Sequence, residues 1–266
     1  MFSLMYLVVG SVAGLMSGLF GIGGGIIIIP SLAKLFLHAD VIPPNAVMHM
    51  AIGTSLATVI FTAIAALYAH HQRKTVRWDM LRFLVPGLIF GAVVGSCATN
   101  FLSSGSLRIF FGVFLAVLGL HLLLGGRNKE PMNPPSPRIM HLMSCLIGGL
   151  SGLLGVGGGI LLVPFLLRCQ LDIRSATGTS VTGAFVVGVV ATLSFMIGGL
   201  LSPSVDKVAW STGYIYWPAF FGIVITSMAF APVGAMLAHK LPREILKRFF
   251  AVLVLFMACD MLFLTR

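Results

Sequence analysis

The sequence predicts an all-α integral membrane protein of about eight hydrophobic helical segments in two homologous halves. Three observations predict it. Of 266 residues 58% are hydrophobic and 9% charged, and the mean hydropathy of +1.04 exceeds what a soluble core of this size needs. The apolar residues come in long uncharged runs, of which a helix needs roughly 20 to cross the hydrocarbon. A glycine-rich motif occurs once in each half of the chain.

The runs lie near 4–37, 46–69, 83–101, 109–124, 139–167, 175–200, 213–238 and 245–264. Most match one crossing. The first and fifth are too long for one straight helix and too short for two full ones, and both contain the glycine motif. Met1 is not followed by the basic start and small-residue cleavage site of a removed signal peptide, so the first segment is expected to belong to the mature fold. Cys97, Cys145, Cys169 and Cys259 have no metal-ligand or redox spacing and read as packing residues. The net charge of +10 comes from 17 basic against 7 acidic residues. The basic ones fall mainly between segments, where they signal topology rather than bind nucleic acid.

The halves repeat one another, as those of transporters commonly do. Gly14-Leu15-Met16-Ser17-Gly18-Leu19-Phe20-Gly21-Ile22-Gly23-Gly24-Gly25, then Pro30, aligns with Gly148-Gly149-Leu150-Ser151-Gly152-Leu153-Leu154-Gly155-Val156-Gly157-Gly158-Gly159, then Pro164. Gly53-Thr54-Ser55 answers Gly178-Thr179-Ser180, and Pro86 answers Pro218 more weakly. Leu107-Arg108-Ile109-Phe110-Phe111 answers Leu246-Lys247-Arg248-Phe249-Phe250. The expected units are a first membrane repeat over 1–125, a polar Pro-rich linker over 126–137 and a second repeat over 138–266.

Basic residues test the orientation of the repeats. If all eight segments cross, the two faces hold nine and eight of them, which orients nothing. If segments one and five dip in and return at their glycines, each half has three full crossings and the halves are inverted. Thirteen basic residues then share one face, against Lys34, Arg108, Lys207 and Arg266 on the other. That bias marks a cytoplasmic face and puts both termini outside the cell. An arm of about 16 residues is roughly 24 Å long, so two arms from opposite faces would bring their glycine tips to mid-membrane.

Dense glycine at Gly21 to Gly25 and Gly155 to Gly159 disfavours helix and permits positive φ. Broken backbone in a bilayer is tolerated only against protein or a water-filled cavity. A break therefore points to a site, and the helix restarting at Ile26 or Ile160 presents free N–H groups and a positive dipole end to an anion. Gly14 and Gly18 read instead as close helix packing. Thr54, Ser55, Thr179 and Ser180 offer uncharged hydroxyl donors, or else bond the backbone within membrane helices. His49 and Arg174 just upstream are candidates for gating or attracting charge, with interfacial anchoring as the alternative for Arg174.

Asp40, Asp79, Glu130, Asp172, Asp206 and Glu244 fall in loops or at segment ends, and Asp260 near the C-terminus. With no carboxylate at mid-membrane, a cation or sodium pathway is disfavoured and an anion favoured. No histidine pair has metal-ligand spacing, and no nucleophile and base are placed for catalysis, so neither metal, cofactor nor enzyme activity is expected. A membrane scaffold would leave the duplicated glycines unexplained. Apolar faces meeting lipid and those meeting a second copy have the same composition, so the sequence sets no oligomeric state.

The duplicated Ser-Gly-x-x-Gly-x-Gly-Gly-Gly with its following proline, and the duplicated Gly-Thr-Ser, resemble the TauE/SafE sulfite exporter family of bacterial membrane permeases. The resemblance covers both halves. It implies a permease of the bacterial inner membrane for sulfite or small organosulfur anions such as sulfoacetate, with a short carboxylate as the alternative cargo. Where members of that family often carry a basic residue before the first Gly-Thr-Ser, this chain has His49, which departs from the pattern.

Overall fold

The computed structural model describes residues 2–20, 23–39, 41–124, 136–202, 208–240 and 243–263. Gly21 and Ile22 of the first motif, and 126–135 of the expected linker, lie outside the described residues. Ten helices are described: α1 (Phe2–Phe20), α2 (Gly25–Ala39), α3 (Val47–Gln72), α4 (Trp78–Thr99), α5 (Ser104–Leu123), α6 (Pro137–Leu154), α7 (Gly159–Arg168), α8 (Ile173–Leu200), α9 (Trp217–Lys240) and α10 (Arg243–Phe263). Six of them, α3 to α6, α8 and the first 18 residues of α9, are long and apolar enough to cross a membrane. The protein is an all-α, multi-pass membrane protein.

Local chemistry sets the helix ends. Ser103, extended at ψ 155°, caps α5 by accepting from the Ser106 N–H at 3.1 Å, and Asp172 caps α8 by accepting from Arg174 and Ser175 N–H at 3.2 Å each. Pro137 opens α6, where its missing N–H removes no bond. Helix α4 starts several residues before its apolar run, because Asp79 and Arg82 fit a solvated first turn. Pro86 lies inside α4, whereas Pro218 lies in the first turn of α9, so this pair marks no equivalent position.

The most extensive packing joins early to late sequence: α1 lies on α9, α4 on α6, α5 on α10 and α3 on α8. Small residues set the spacing. A Cβ on Gly91 or Gly95 of α4 would run into the carbonyl oxygens of Cys145 and Gly149 on α6. Gly14 lies against Ser227 of α9 in the same way. Outside this interior, large apolar side chains such as Phe90, Phe101, Val117, Leu193, Ile197 and Phe256 are exposed, as an apolar solvent permits.

Helices α3 and α8 run antiparallel at the centre. The start of α3 at Gly53 and the end of α8 at Gly199 both touch the residue 213–214 turn, while the start of α8 at Gly178 touches Thr75 just beyond α3. That turn belongs to a short antiparallel hairpin of β1 (Ser211–Thr212) and β2 (Ile215–Tyr216), which pairs Ser211 with Tyr216. The sequence reads 213–216 of this stretch as the start of a helical segment. Gly213 at φ 57°, packed on Met196, turns it into a hairpin instead.

Candidate functional site

The glycine runs are where the chain leaves helix. Helix α6 ends at Leu154, Gly155 takes φ 72° as its C-cap, and Gly157 and Gly158 follow at φ 68° and 82° before α7 starts. In the first run Gly23 and Gly24 take φ 80° and 72° before α2 starts at Gly25. Such angles are strained for any residue with a Cβ.

The ends of each broken segment lie together. Tyr6 of α1 and Phe36 of α2 both pack edge-on to Tyr216, at 6.4 and 5.6 Å between ring centroids. Pro137 of α6 and Cys169 just after α7 line one cavity of about 470 Å³ with Arg77, Asp79, Arg82 and Asp172. Tyr216 and Arg77 lie at opposite ends of α3: Tyr216 bonds Thr54 near its start, and Arg77 follows its end.

The two breaks meet. A Cβ on Gly25 would stand 2.8 Å from the Gly155 carbonyl oxygen and 3.2 Å from Val156 Cα. Val59 of α3 lies beside both, within 4.0 Å of a Cβ on Gly23 and 2.6 Å of one on Gly157. Neither break carries an ionisable side chain.

The hydroxyls expected as ligands are engaged with backbone. Ser55 Oγ donates to the Gly155 carbonyl at 3.2 Å and Ser180 Oγ to the Gly159 carbonyl at 3.3 Å, so both tether the second break. Thr54 Oγ1 accepts from the Tyr216 N–H and Thr179 Oγ1 from the Arg77 N–H, both at 3.0 Å. The two glycines before the threonines admit these strands: a Cβ would stand 2.6 Å from the Tyr214 oxygen at Gly53 and 2.7 Å from Thr75 Oγ1 at Gly178. Each Gly-Thr-Ser thus holds the chain entering α9 or α4 with its threonine and a glycine break with its serine.

His49 and Arg174, equivalent in the repeat, have different surroundings. His49 is 5% exposed, and its Nε2 donates to the Thr99 carbonyl at 3.0 Å, which requires the proton on that nitrogen. Its ring stacks on Tyr214 at 5.0 Å. The burial of His49 gives it a joining role between α3, α4 and the hairpin. Arg174 is exposed in the first turn of α8. Beside it, hydrogen bonds from Ser175 hold the Asp172 carboxyl below the usual carboxylate range. Arg77 forms a two-bond ion pair with Asp79 at 2.9 and 3.1 Å at the same end. Among the described residues no three His, Cys, Asp or Glu side chains gather as they would round a metal ion.

Sequence reasoning did not single out the hairpin, and it read Ser151 together with Ser17 as packing residues or ligands, without distinguishing the two. The side-chain oxygen of Ser151 is buried without a hydrogen-bond partner among the described residues and stands 3.3 Å from a Cβ on Gly158. Its place in the duplicated motif was visible, but an unsatisfied hydroxyl is a property of the folded chain.

Comparison with known proteins agrees with this architecture. A probable membrane transporter protein of Haemophilus influenzae is 33% identical over 98% of both chains. Another of Methanocaldococcus jannaschii is 29% identical over 86% of this chain and 81% of its own. One of Bacillus subtilis is 26% identical over 96% of each. The profile described as sulfite exporter TauE/SafE matches residues 6–261, and with it the chain belongs to the TauE/SafE sulfite exporter family.

Proposed function

We propose that this protein carries a small sulfur-containing anion, sulfite or an organosulfonate, across the cytoplasmic membrane by alternating access of two inverted halves. The observation that carries the reading is the meeting of Gly25 with Gly155. Two helix breaks whose arms start near opposite ends of α3 touch inside the protein. On this reading segments one and five re-enter rather than cross, and the remaining helices of each half span the bilayer.

The anion is held by backbone N–H groups at Gly23, Gly24, Gly157, Gly158 and Gly159, with the positive ends of α2 and α7 offsetting its charge; Gly25 and Gly155, expected as ligands from the sequence, instead donate their N–H groups to the Gly23 and Ser151 carbonyls at 2.9 Å each. Ser55 and Ser180 both tether the second of those loops, and Thr54 and Thr179 fix the neighbouring helix starts. Binding by uncharged donors places no ionisable side chain inside the membrane, where one is costly. Arg77, Arg82, Arg138, Arg168 and Arg174 cluster by sequence near the cavity at the far end of α3, which supports a cytoplasmic face there. Arg174 raises the local anion concentration at that face. A short carboxylate would use the same donors.

Uptake of labelled sulfite into proteoliposomes tests this, with sulfate, sulfoacetate, lactate and a sodium gradient beside it. Saturable sulfite flux competed by sulfoacetate and indifferent to sodium is expected. Flux of none of these anions would sink the reading.

A further inference from the structure

We infer that Ser151 is a ligand-contacting residue, whose hydroxyl joins the N-terminus of α7 in binding one oxygen of a small oxyanion. The inference rests on the reading of the glycine breaks as the site and assigns a side chain to it.

Three features carry it. Ser151 is 1% exposed, and among the described residues its Oγ has no hydrogen-bond partner. Membrane-helix serines ordinarily return their proton to a carbonyl one turn back, as Ser96 does to Ala92 and Ser194 to Val190. Leaving a buried hydroxyl unbonded is unfavourable unless something else accepts from it.

The second feature is where the hydroxyl stands. It lies 3.3 Å from the position a Cβ would take on Gly158, the N-cap of α7. A usual N-cap side chain would accept from the first N–H groups of the helix. Glycine has none, and among the described residues no side-chain hydrogen bond caps this helix. The N–H groups of Leu161 and Leu162 return to the Gly158 carbonyl at 3.1 and 2.9 Å. Those of Gly159 and Ile160 have no intrahelical acceptor, by the geometry of a helix start. An oxygen accepting from the Ser151 hydroxyl and from these N–H groups satisfies all of them at once. The N–H groups only donate and the hydroxyl has a proton to donate beside them, so the ligand they share is an acceptor, and the dipole end selects an anion.

The third feature is a difference between the breaks. Ser17 occupies the matching place in the first motif, yet the nearest atoms to a Cβ on Gly24 are the Ala13 oxygen at 3.3 Å and Ala13 Cβ at 3.5 Å. Ser17 is also only half-buried. The side-chain donor therefore serves the second break.

The test uses purified full-length wild type, S151A, S151V, S151T and S17A. Melting midpoints are followed against sulfite, sulfate and sulfoacetate, with chloride as the control, and labelled-sulfite flux is measured in proteoliposomes. Sulfite is expected to stabilise the wild type, with the half-maximal concentration and the flux KM rising about tenfold or more in S151A and S151V. S151T, which keeps the hydroxyl, and S17A are expected to respond as wild type. Without anion, S151A is expected to melt as wild type does, because the hydroxyl has no hydrogen-bond partner among the described residues. An unchanged sulfite response in S151A and S151V overturns the assignment, and so does an equal loss in S17A. If none of the oxyanions stabilises the wild type, the site itself falls. If sulfite stabilises through Ser151 but no anion is transported, the binding site stands and the transport reading fails.

Discussion

Gly25 lies against the carbonyl of Gly155, close enough that a Cβ would be 2.8 Å from the oxygen. Two segments 130 residues apart in sequence therefore share one contact: a side chain at Gly25 would move the other break, and one at Gly155 would meet the Ile52 and Ile29 side chains at 2.8 and 2.9 Å. At the other glycines of the runs the obstacle is conformation. Gly24 and Gly158 hold φ at 72° and 82°, which costs an L-residue about 1–2 kcal/mol before any clash. Gly24→Leu and Gly158→Leu are expected to abolish anion flux while the protein still inserts, measured by flux and by membrane fractionation. Wild-type flux in both would remove the glycine breaks as the site.

The two threonine bonds predict a stability effect that a ligand role does not. Thr54→Val or Thr179→Val keeps the shape but leaves the N–H of Tyr216 or Arg77 without its acceptor. The loss is expected to be about 1–3 kcal/mol each for a buried donor, and smaller at Arg77, whose bond is part-buried. Thr→Ser at either site should restore the melting midpoint. A midpoint unchanged by valine would mean that these bonds do not hold the helix starts.

Interlocking of early and late helices predicts how the chain assembles. Since α1 packs on α9 and α4 on α6, the fragment 1–125 lacks the surfaces that cover its own helices. Expressed alone it is expected to be degraded or aggregated, and co-expressed with 126–266 it is expected to be recovered as a complex. Stable accumulation of 1–125 alone would contradict this.

Asp172 predicts a pH effect. Hydrogen bonds from Ser175 and Arg174 hold its carboxyl below the usual range, so its folded pKa is lower than its unfolded value of about 3.9. The stability it contributes is complete above that unfolded value and is lost as pH falls through the folded pKa. The melting difference between wild type and Asp172→Ala is therefore expected to be constant from pH 5 to 8 and to shrink below about pH 4. A difference unchanged at low pH would show that the cap does not depend on ionisation.

Reading the sequence recovers the helical membrane class, because hydropathy and uncharged run length are properties of composition. Helix starts are read late at α4, since a solvated first turn carries Asp79 and Arg82 that an apolar window rejects. The hairpin at 211–216 is hidden by its apolar residues. Tyr214 and Tyr216 are buried against His49, Phe195, Tyr6 and Phe36, so their hydrophobicity reports packing in the protein rather than a bilayer helix.

What the sequence by itself determined is the solvent the chain must live in and the places where glycine weakens the helix. Both follow from residue type. The tertiary structure alone decided which polar groups remain available to a ligand. Thr54, Ser55, Thr179 and Ser180 look like ligands in sequence, but backbone groups of other segments engage them, while the Ser151 hydroxyl, in an equally ordinary context, has no partner among the described residues. Hydrogen-bond satisfaction depends on which neighbour arrives within about 3 Å, and for Thr54, Ser55 and Thr179 that neighbour comes from the other half of the chain.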